Sequence, residues 1–127
     1  MAITRFAHSS IMDAALDVIA TSVMLRVCSG TNNPADRAGA IAATLADVVI
    51  DTSDFTKANG DVSGRKVTVA QQANIPIDAS GDASCVTLDD GTTLLYVIPA
   101  TVQALTSGGY VTSPAFDIEI ASPTAPV

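Results

Sequence analysis

Apolar and polar side chains alternate at every second position in several short segments of this chain. The clearest example lies near its end, where Phe116, Ile118 and Ile120 alternate with Asp117 and Glu119. Because successive side chains of a β-strand point to opposite faces, this pattern predicts a strand with one buried face and one solvated face. Strands of this kind are typical of antiparallel sheets, and therefore of β-sandwiches and barrels.

Other segments rich in β-branched residues are equally short and are separated by residues that favour turns. The predicted strands cover residues 23–28, 45–51, 66–70, 75–77, 83–88, 93–98, 101–105 and 116–120. The turn Asp89-Asp90-Gly91-Thr92 predicts a hairpin between two of them. Pro76 has no backbone N–H to donate, so the strand around it is predicted to be an edge strand or to contain a bulge.

One amphipathic helix is predicted near the N-terminus, from Ser10 to Ala20. Ser10 and Asp13 approximate a capping box at its start. Its broad apolar face is predicted to contain Ile11, Met12, Ala15, Leu16, Val18 and Ile19. Residues 35–46 are rich in small side chains but include Gly39 and no clean apolar stripe, so they are predicted to form a loop running into a strand.

These segments together predict a mainly β protein. The expected fold is an antiparallel β-sandwich (jelly-roll-like) or barrel of about seven to eight strands with one N-terminal α-helix. The 127 residues of the chain fit a single domain. We divide them into an extended N-terminal arm (residues 1–8), the β-sandwich domain (residues 9–121) and a C-terminal tail (residues 122–127).

Charge and hydropathy exclude several classes of partner. The chain has 6 Lys and Arg against 13 Asp and Glu, a net charge of −7. Its few cations are scattered, so direct binding of nucleic acid is not expected. The longest uncharged stretch, Gly91 to Phe116, is broken by Pro99 and Gly108, so no membrane-spanning helix is expected. A secretion signal needs an apolar run at the position where Asp13 and Asp17 lie, so no secretion signal is expected.

The sequence predicts neither a catalytic centre nor a bound cofactor. His8 is the only histidine, and the G-x-S-x-G motif of a nucleophile elbow does not occur. No glycine-rich loop for phosphate is present. Cys28 and Cys85 lack the spacing of a zinc site, and we interpret them as free thiols of a protein made in the cytoplasm. The chain is therefore predicted not to be an enzyme.

A polar segment from residue 52 to residue 64 is predicted to be a long turn region. With the preceding aspartate, it places several oxygen ligands close together in sequence: Asp51, Ser53, Asp54, Asn59 and Asp61. Calcium prefers such ligands, but their order departs widely from the EF-hand pattern. We interpret the segment as an ordinary turn rich in Asp and Asn, with calcium binding as the less favoured alternative.

The order of several motifs along this chain is similar to that in a known group of proteins. The chain contains MLRVCSGTNNPA (residues 24–35), then the hairpin LDDGTTLLYVIPA (88–100), and finally the closing strand FDIEI (116–120). In this order the chain resembles small β-rich structural proteins of tailed bacteriophages over nearly its whole length. The shared motifs concern packing and turns. The resemblance implies a non-enzymatic virion component, most similar to a capsid decoration (cement) protein.

A decoration protein of this kind binds the major capsid protein and bridges adjacent subunits of the capsid lattice. The resemblance implies a place on the capsid surface of the virion, after assembly in the host cytoplasm, and self-association as a trimer or through lattice contacts. The arm and the tail are predicted to order against a neighbour. The predicted partner-binding residues are Ile3, Arg5, Phe6, Pro123, Pro126 and Val127. For Ile3 and Phe6 the alternative is that they cover the domain's own core.

Two other functions stay open at this point. Within the same class, the chain is a candidate tail-tube, head-completion or fibre-associated protein, in which the same strands form ring contacts. A different class is a host-surface carbohydrate-binding module. The small number of aromatic residues, three Phe and two Tyr with no Trp, counts against the carbohydrate module, because sugars usually stack on aromatic rings.

Overall fold

Antiparallel β-sheets form most of the molecule. The computed structural model describes residues 6–30 and 34–123. Its helices are α1 (Ser9–Ile19) and α2 (Arg37–Ala42), and its strands are β1 (Met24–Ser29), β2 (Thr44–Val49), β3 (Phe55–Asn59), β4 (Arg65–Val69), β5 (Gln72–Pro76), β6 (Gly81–Asp89), β7 (Leu94–Leu105), β8 (Tyr110–Ser113) and β9 (Phe116–Ile120). The predicted mainly β, sandwich-like fold with an N-terminal helix is confirmed. The described residues form nine strands, and their sheets do not close into a barrel.

The strands form three sheets around one core. A four-stranded sheet has the order β2-β1-β6-β7, a three-stranded sheet the order β3-β4-β9, and β5 pairs with β8. A single bridge between Ala46 and Ile77 links the four-stranded sheet to the end of β5. Every sheet contributes buried apolar residues to the core, and α1 adds Leu16; examples from the sheets are Leu25, Leu88, Val67, Ile118, Ile75 and Val111.

Strand β9 has the clearest alternation of apolar and polar residues, and it has one buried face and one exposed face as predicted. Ile118 in β9 is buried and lies opposite Val67 in β4, whereas Asp117 and Glu119 are exposed. Asp117 accepts a hydrogen bond from Thr68 in the neighbouring strand at 2.6 Å. The period-two pattern predicts this strand correctly because one of its faces is buried and the other is in solvent.

The predicted hairpin is confirmed as β6 and β7. Asp90 accepts hydrogen bonds from the backbone N–H groups of Thr93 and Thr92 at 2.7 and 2.9 Å, and these bonds lower the pKa of its carboxyl. Gly91 has φ +92°, a conformation that favours glycine. The separate strand predicted at residues 101–105 is wrong, because those residues continue β7 beyond a change of register with β6.

The strand around Pro76 also agrees with the prediction. β5 pairs only with β8 within the described residues, and its register shifts between Gln72 and Ile75. Asn74, inside this irregularity, has φ 55°. The missing N–H of Pro76 is tolerated here because the strand is at an edge.

Helix α2 corrects the loop predicted for residues 35–46. The carboxylate of Asp36 accepts a hydrogen bond from the backbone N–H of Gly39 at 2.7 Å and so caps the helix. Ala40 is fully buried against the four-stranded sheet, beside Cys28 and Cys85. The cap and the burial of a small side chain outweigh the low helix propensity of glycine.

Two further strands were not predicted. β3 lies inside the segment predicted as a polar turn, and it forms a regular ladder with β4 from Phe55 opposite Val69 to Asn59 opposite Arg65. β8 follows the predicted turn at residues 107–109, and only Val111 and Ser113 of its four residues are buried. Both strands contain few apolar residues, so hydrogen bonds to a neighbouring strand decide their conformation more than their own composition.

Helix α1 begins and packs differently from the prediction. Its N-cap is His8, whose Nδ1 accepts a hydrogen bond from the backbone N–H of Ser10 at 3.2 Å, so the capping box of Ser10 with Asp13 is wrong. Met12 and Leu16 are buried, whereas Ile11 is 64% exposed and Val18 is 55% exposed. The apolar stripe is thus wider than the face that the sheets cover.

Ion pairs hold α1 in this orientation. Asp13 accepts from the Arg65 guanidinium at 2.8 Å, and Asp17 accepts from the Lys57 ammonium at 2.6 Å. Both cations belong to the three-stranded sheet, so the side of the helix that carries the two carboxylates faces that sheet. Neither of the two α-helices in the described ranges has the length and apolarity that crossing a membrane requires.

Candidate interaction surface

The two ends of the described domain meet at one end of the three-stranded sheet. The first half of α1 is held there through Asp13 and Arg65. Arg65 begins β4 and lies opposite Ile120, the last residue of β9. Just beyond β9, the backbone N–H of Ser122 donates to the hydroxyl of Ser63 at 3.2 Å. The first half of α1 and the chain that leaves β9 therefore both contact residues at or next to the β3–β4 turn.

A glycine in this turn allows the close approach of β9. Gly64 has φ +70°, and a Cβ atom at this position would overlap the carbonyl oxygen of Ile120. Gly60 and Gly64 are also joined by a backbone hydrogen bond of 3.0 Å across the turn. The turn thus fixes the point at which the C-terminal segment leaves the domain.

Several large apolar side chains are exposed around this end. Val62 in the turn is 91% exposed, Phe6 before α1 is 84% exposed, and Ile11 lies on the first turn of α1. Pro123 is exposed just beyond β9. We call these four residues the terminal surface. Single exposed apolar residues are common on soluble proteins, and these four have in common that they lie on the β3–β4 turn or on the segments next to the two ends of the described chain.

Charged residues with protein partners lie next to the terminal surface. The Lys66 ammonium contacts Asp61 at 2.7 Å and Asp117 at 3.2 Å. These hydrogen bonds raise the pKa of Lys66, so it stays charged at neutral pH. Glu119 accepts from the backbone N–H of Val62 at 3.3 Å. An apolar centre beside ion-paired polar groups is the usual composition of a protein–protein interface.

The partner-binding residues predicted from sequence divide into two groups. Phe6 and Pro123 are both exposed and belong to the terminal surface. The alternative that Phe6 covers the domain's own core is wrong, since 84% of its surface is exposed. The other predicted residues lie outside the described part of the chain: Ile3, Arg5, Pro126 and Val127.

A buried polar cluster lies on the opposite side of the four-stranded sheet from the core, and the sequence did not predict it. Asp89 is completely buried and accepts from the guanidinium groups of Arg26 at 3.0 Å and Arg37 at 3.3 Å. It also accepts from the backbone N–H of Gly91 at 3.0 Å. One carboxylate thus joins β1, α2 and the hairpin turn. In the sequence, the only sign of this buried cluster is the charged residue Arg26 inside an apolar strand.

The two cysteines lie opposite each other on β1 and β6, and both are free and buried. The Cys28 sulfur lies 3.5 Å from the carbonyl oxygen of Ala40 and 3.8 Å from the Thr87 hydroxyl. Burial raises the pKa of the Cys28 thiol from 9.0 to about 11, and it also raises the pKa of Cys85. Thiols held in the protonated form are poor nucleophiles and poor metal ligands.

We expect neither thiol of the folded protein to react with a thiol reagent at pH 8, and both to react after unfolding in urea. The unfolded Cys28 loses its proton first, because its pKa is 9.0 against about 11 in the fold. Stability should therefore fall as the pH rises from 9 toward 11. Urea titrations of the wild type and of Cys28→Ala across this range measure the difference. Fast labelling of the folded protein would contradict the buried position.

The oxygen-rich segment after β2 uses its side chains within the protein. Asp51 caps a short 3₁₀ turn and accepts from Ser53, which lowers the pKa of its carboxyl. Asp54 accepts from Gln72 at 3.0 Å, and Asn59 accepts from Arg65. Within residues 6–30 and 34–123, no group of three or more His, Cys, Asp or Glu side chains is arranged to hold a metal ion.

The described residues combine ion pairs within the fold with apolar side chains that are exposed. The charged side chains that form ion pairs connect elements of the fold, as Asp13 and Asp89 do. The terminal surface, by contrast, has exposed apolar side chains on a well-packed support. Comparison of the chain with protein-family models, with curated proteins and with solved structures finds no match.

Proposed function

We propose that this protein is a non-enzymatic virion structural protein, a capsid decoration protein that binds the major capsid lattice through its terminal surface. The observation that supports the proposal is that α1, through Asp13, and the chain after β9, through Ser122, are both held next to the β3–β4 turn, with Phe6 exposed before α1. The resemblance to small structural proteins of tailed bacteriophages supplies the kind of partner. The bound protein would lie on the capsid surface of the virion.

The geometry supports contact with one neighbour through both ends of the chain. The N-terminal half of α1 and the chain after β9 both contact residues at or next to the β3–β4 turn, so one subunit placed over this turn is in a position to contact both segments. Two segments that bind the same partner increase the effective concentration of each other. Such binding makes the affinity for that neighbour higher than either segment alone would give.

The support beneath the terminal surface is rigid. Asp13 and Asp17 hold α1 against the three-stranded sheet, and Leu16 is fully buried in the core. A surface that is already ordered loses little conformational entropy when it binds. The exposed Phe6 then contributes the free energy of its burial, about 1.5–3 kcal/mol for a side chain of this size.

The test is co-sedimentation of the purified protein with capsids that lack it. Phe6→Ser is expected to weaken capsid binding by roughly ten- to a hundredfold, because about 1.5–3 kcal/mol of apolar burial is lost. The matched control is Val49→Ser. Val49 is 73% exposed and pairs with Met24 in the strand that follows α1, at the end of the molecule away from the terminal surface. This control should bind like the wild type.

A second variant removes residues 1–6 and keeps His8, which caps α1. We expect it to fold, as judged by circular dichroism, and not to sediment with capsids. Wild-type binding by both variants would contradict the proposal. A protein that ignores capsids but assembles into rings or tubes would favour the tail-tube, head-completion or fibre-associated function. Binding on a glycan array would favour the carbohydrate module instead.

A further inference from the structure

The four-stranded sheet has an unusual edge at β7. This strand is 12 residues long, and within the described residues it pairs only with β6. No charged side chain occurs between Gly91 and Phe116. Residues 99–104 form a continuous exposed run in which Val102 is 63% exposed. A long uncharged edge strand is a ready template for pairing with another strand.

The change of register in β7 leaves backbone groups without a partner. Pro99 lies opposite Cys85, and Gln103 lies opposite Ala83, so the three residues from Ala100 to Val102 face Ser84 alone. A bulge of this kind cannot satisfy all the N–H and C=O groups of the longer strand. The side of β7 away from β6 faces no other strand in the described structure, so the N–H and C=O groups on that side are the ones that an added strand would bond.

Three other edge strands in the described structure carry a charged residue or a bridge to another segment. The outer side of β2 meets Ile77 through the bridge at Ala46. β3 contains Lys57. β9 contains two acidic residues, Asp117 and Glu119. Charged residues on an edge oppose pairing with a second chain. β7 differs from these three edges in carrying no charged residue.

A groove runs beside the exposed part of β7. It has a volume of about 370 Å³ and separates this strand from the segment that joins β8 to β9. Most of its lining is apolar and includes Ile98, Val111, Pro114 and Phe116. Side chains from an added strand would point alternately toward this groove and away from it.

We propose that β7 pairs with β7 of a second copy of this chain, antiparallel across a twofold axis near Val102. Such an interface is self-complementary, because each copy offers the same five uncharged residues, Ala100 to Ala104, to the other. Two copies with a net charge of −7 each repel one another, and this uncharged edge is where the repulsion is weakest. The two four-stranded sheets would then form one sheet of eight strands.

A second copy fits this edge because a twofold axis at Val102 places only uncharged residues, Ala100 to Ala104, opposite one another. Val102 would lie opposite Val102 of the other copy, and pairs of β-branched residues stabilise neighbouring antiparallel strands. Pro99, which has no N–H to donate, would lie outside the central five residues. This surface is distinct from the terminal surface, so self-pairing does not depend on capsid binding.

The test of this dimer measures the molar mass of the protein in solution by light scattering and sedimentation equilibrium, at protein concentrations up to about 100 μM. The wild type is expected to have twice the 12.9 kDa mass of the chain. Val102→Lys places two like charges opposite each other and should weaken the dimer at least about tenfold. Val49→Lys, at an exposed valine of another strand, is the matched control and should remain dimeric.

A cross-linking variant keeps the test decisive if the lysine disturbs folding. Val102→Cys is expected to form a disulfide-linked dimer in air or with diamide, whereas Val49→Cys is not; the native cysteines are buried. A monomeric or trimeric wild type would overturn the proposal, as would an unchanged mass for Val102→Lys. Loss of dimerisation in Val102→Lys with intact capsid binding would show that the two surfaces act separately.

Discussion

Replacing Asp89 with alanine is expected to destabilise the protein by about 3–5 kcal/mol, the usual cost of removing one partner of a buried ion pair. Asp89 is completely buried and faces Arg26, whose side chain is 9% exposed. Without the carboxylate, the guanidinium of Arg26 keeps only Asp47, at 3.3 Å. The backbone N–H of Gly91 also loses its acceptor. Equilibrium unfolding in urea measures the loss.

The control for this prediction is Asp61→Ala. Asp61 also forms an ion pair, with Lys66, but its side chain is 68% exposed, so only a small loss of stability is expected. The double variant Arg26→Ala with Asp89→Ala should lose less than the sum of the two single variants, because both remove the same interaction. Equal losses for Asp89→Ala and Asp61→Ala would show that the buried cluster contributes no more than a surface pair.

The second large effect is expected at α1. Leu16→Ala should cost about 2–5 kcal/mol, since Leu16 is fully buried and its removal leaves a cavity between the helix and the sheets. Ile11→Ala, on the same helix, should change the free energy of unfolding by no more than about 0.5 kcal/mol, because Ile11 is 64% exposed. Thermal and urea unfolding of the two variants measure this difference.

The same pair of variants separates stability from binding. Ile11 belongs to the terminal surface, so Ile11→Ala is expected to weaken capsid co-sedimentation while its unfolding stays close to that of the wild type. Leu16→Ala should bind normally at temperatures where it is still folded. A large loss of stability in Ile11→Ala would mean that this side chain packs on the domain and is not available to a partner.

The terminal surface and the β7 edge together suit a protein that forms lattices. The terminal surface presents exposed apolar residues near both ends of the chain, such as Phe6, whereas the β7 edge presents backbone groups and uncharged side chains around Val102. The two proposals together would place the contacts with a capsid subunit and with another copy on different parts of the domain. A chain with a net charge of −7 keeps the remaining surface repulsive and soluble.

Local patterns in the sequence determined the strands that have one buried face and the turns with special backbone chemistry. β9 follows from the alternation of Ile118 with its acidic neighbours, and the β6–β7 hairpin follows from Asp90 and Gly91. These features depend on residues two to four positions apart, so they can be recognised without knowledge of the rest of the fold. The predicted fold class rests on them.

Tertiary structure alone decided which of the apolar residues of α1 are buried, and it decided that the polar segment around Lys57 becomes β3. It also placed Asp89 beside Arg26 and brought both chain ends to one turn. Each of these features requires contacts between residues far apart in the sequence, such as the 52 positions that separate Asp13 from Arg65. The sequence pattern shows which side chains are apolar or charged, but the packing of the sheets determines which of them meet.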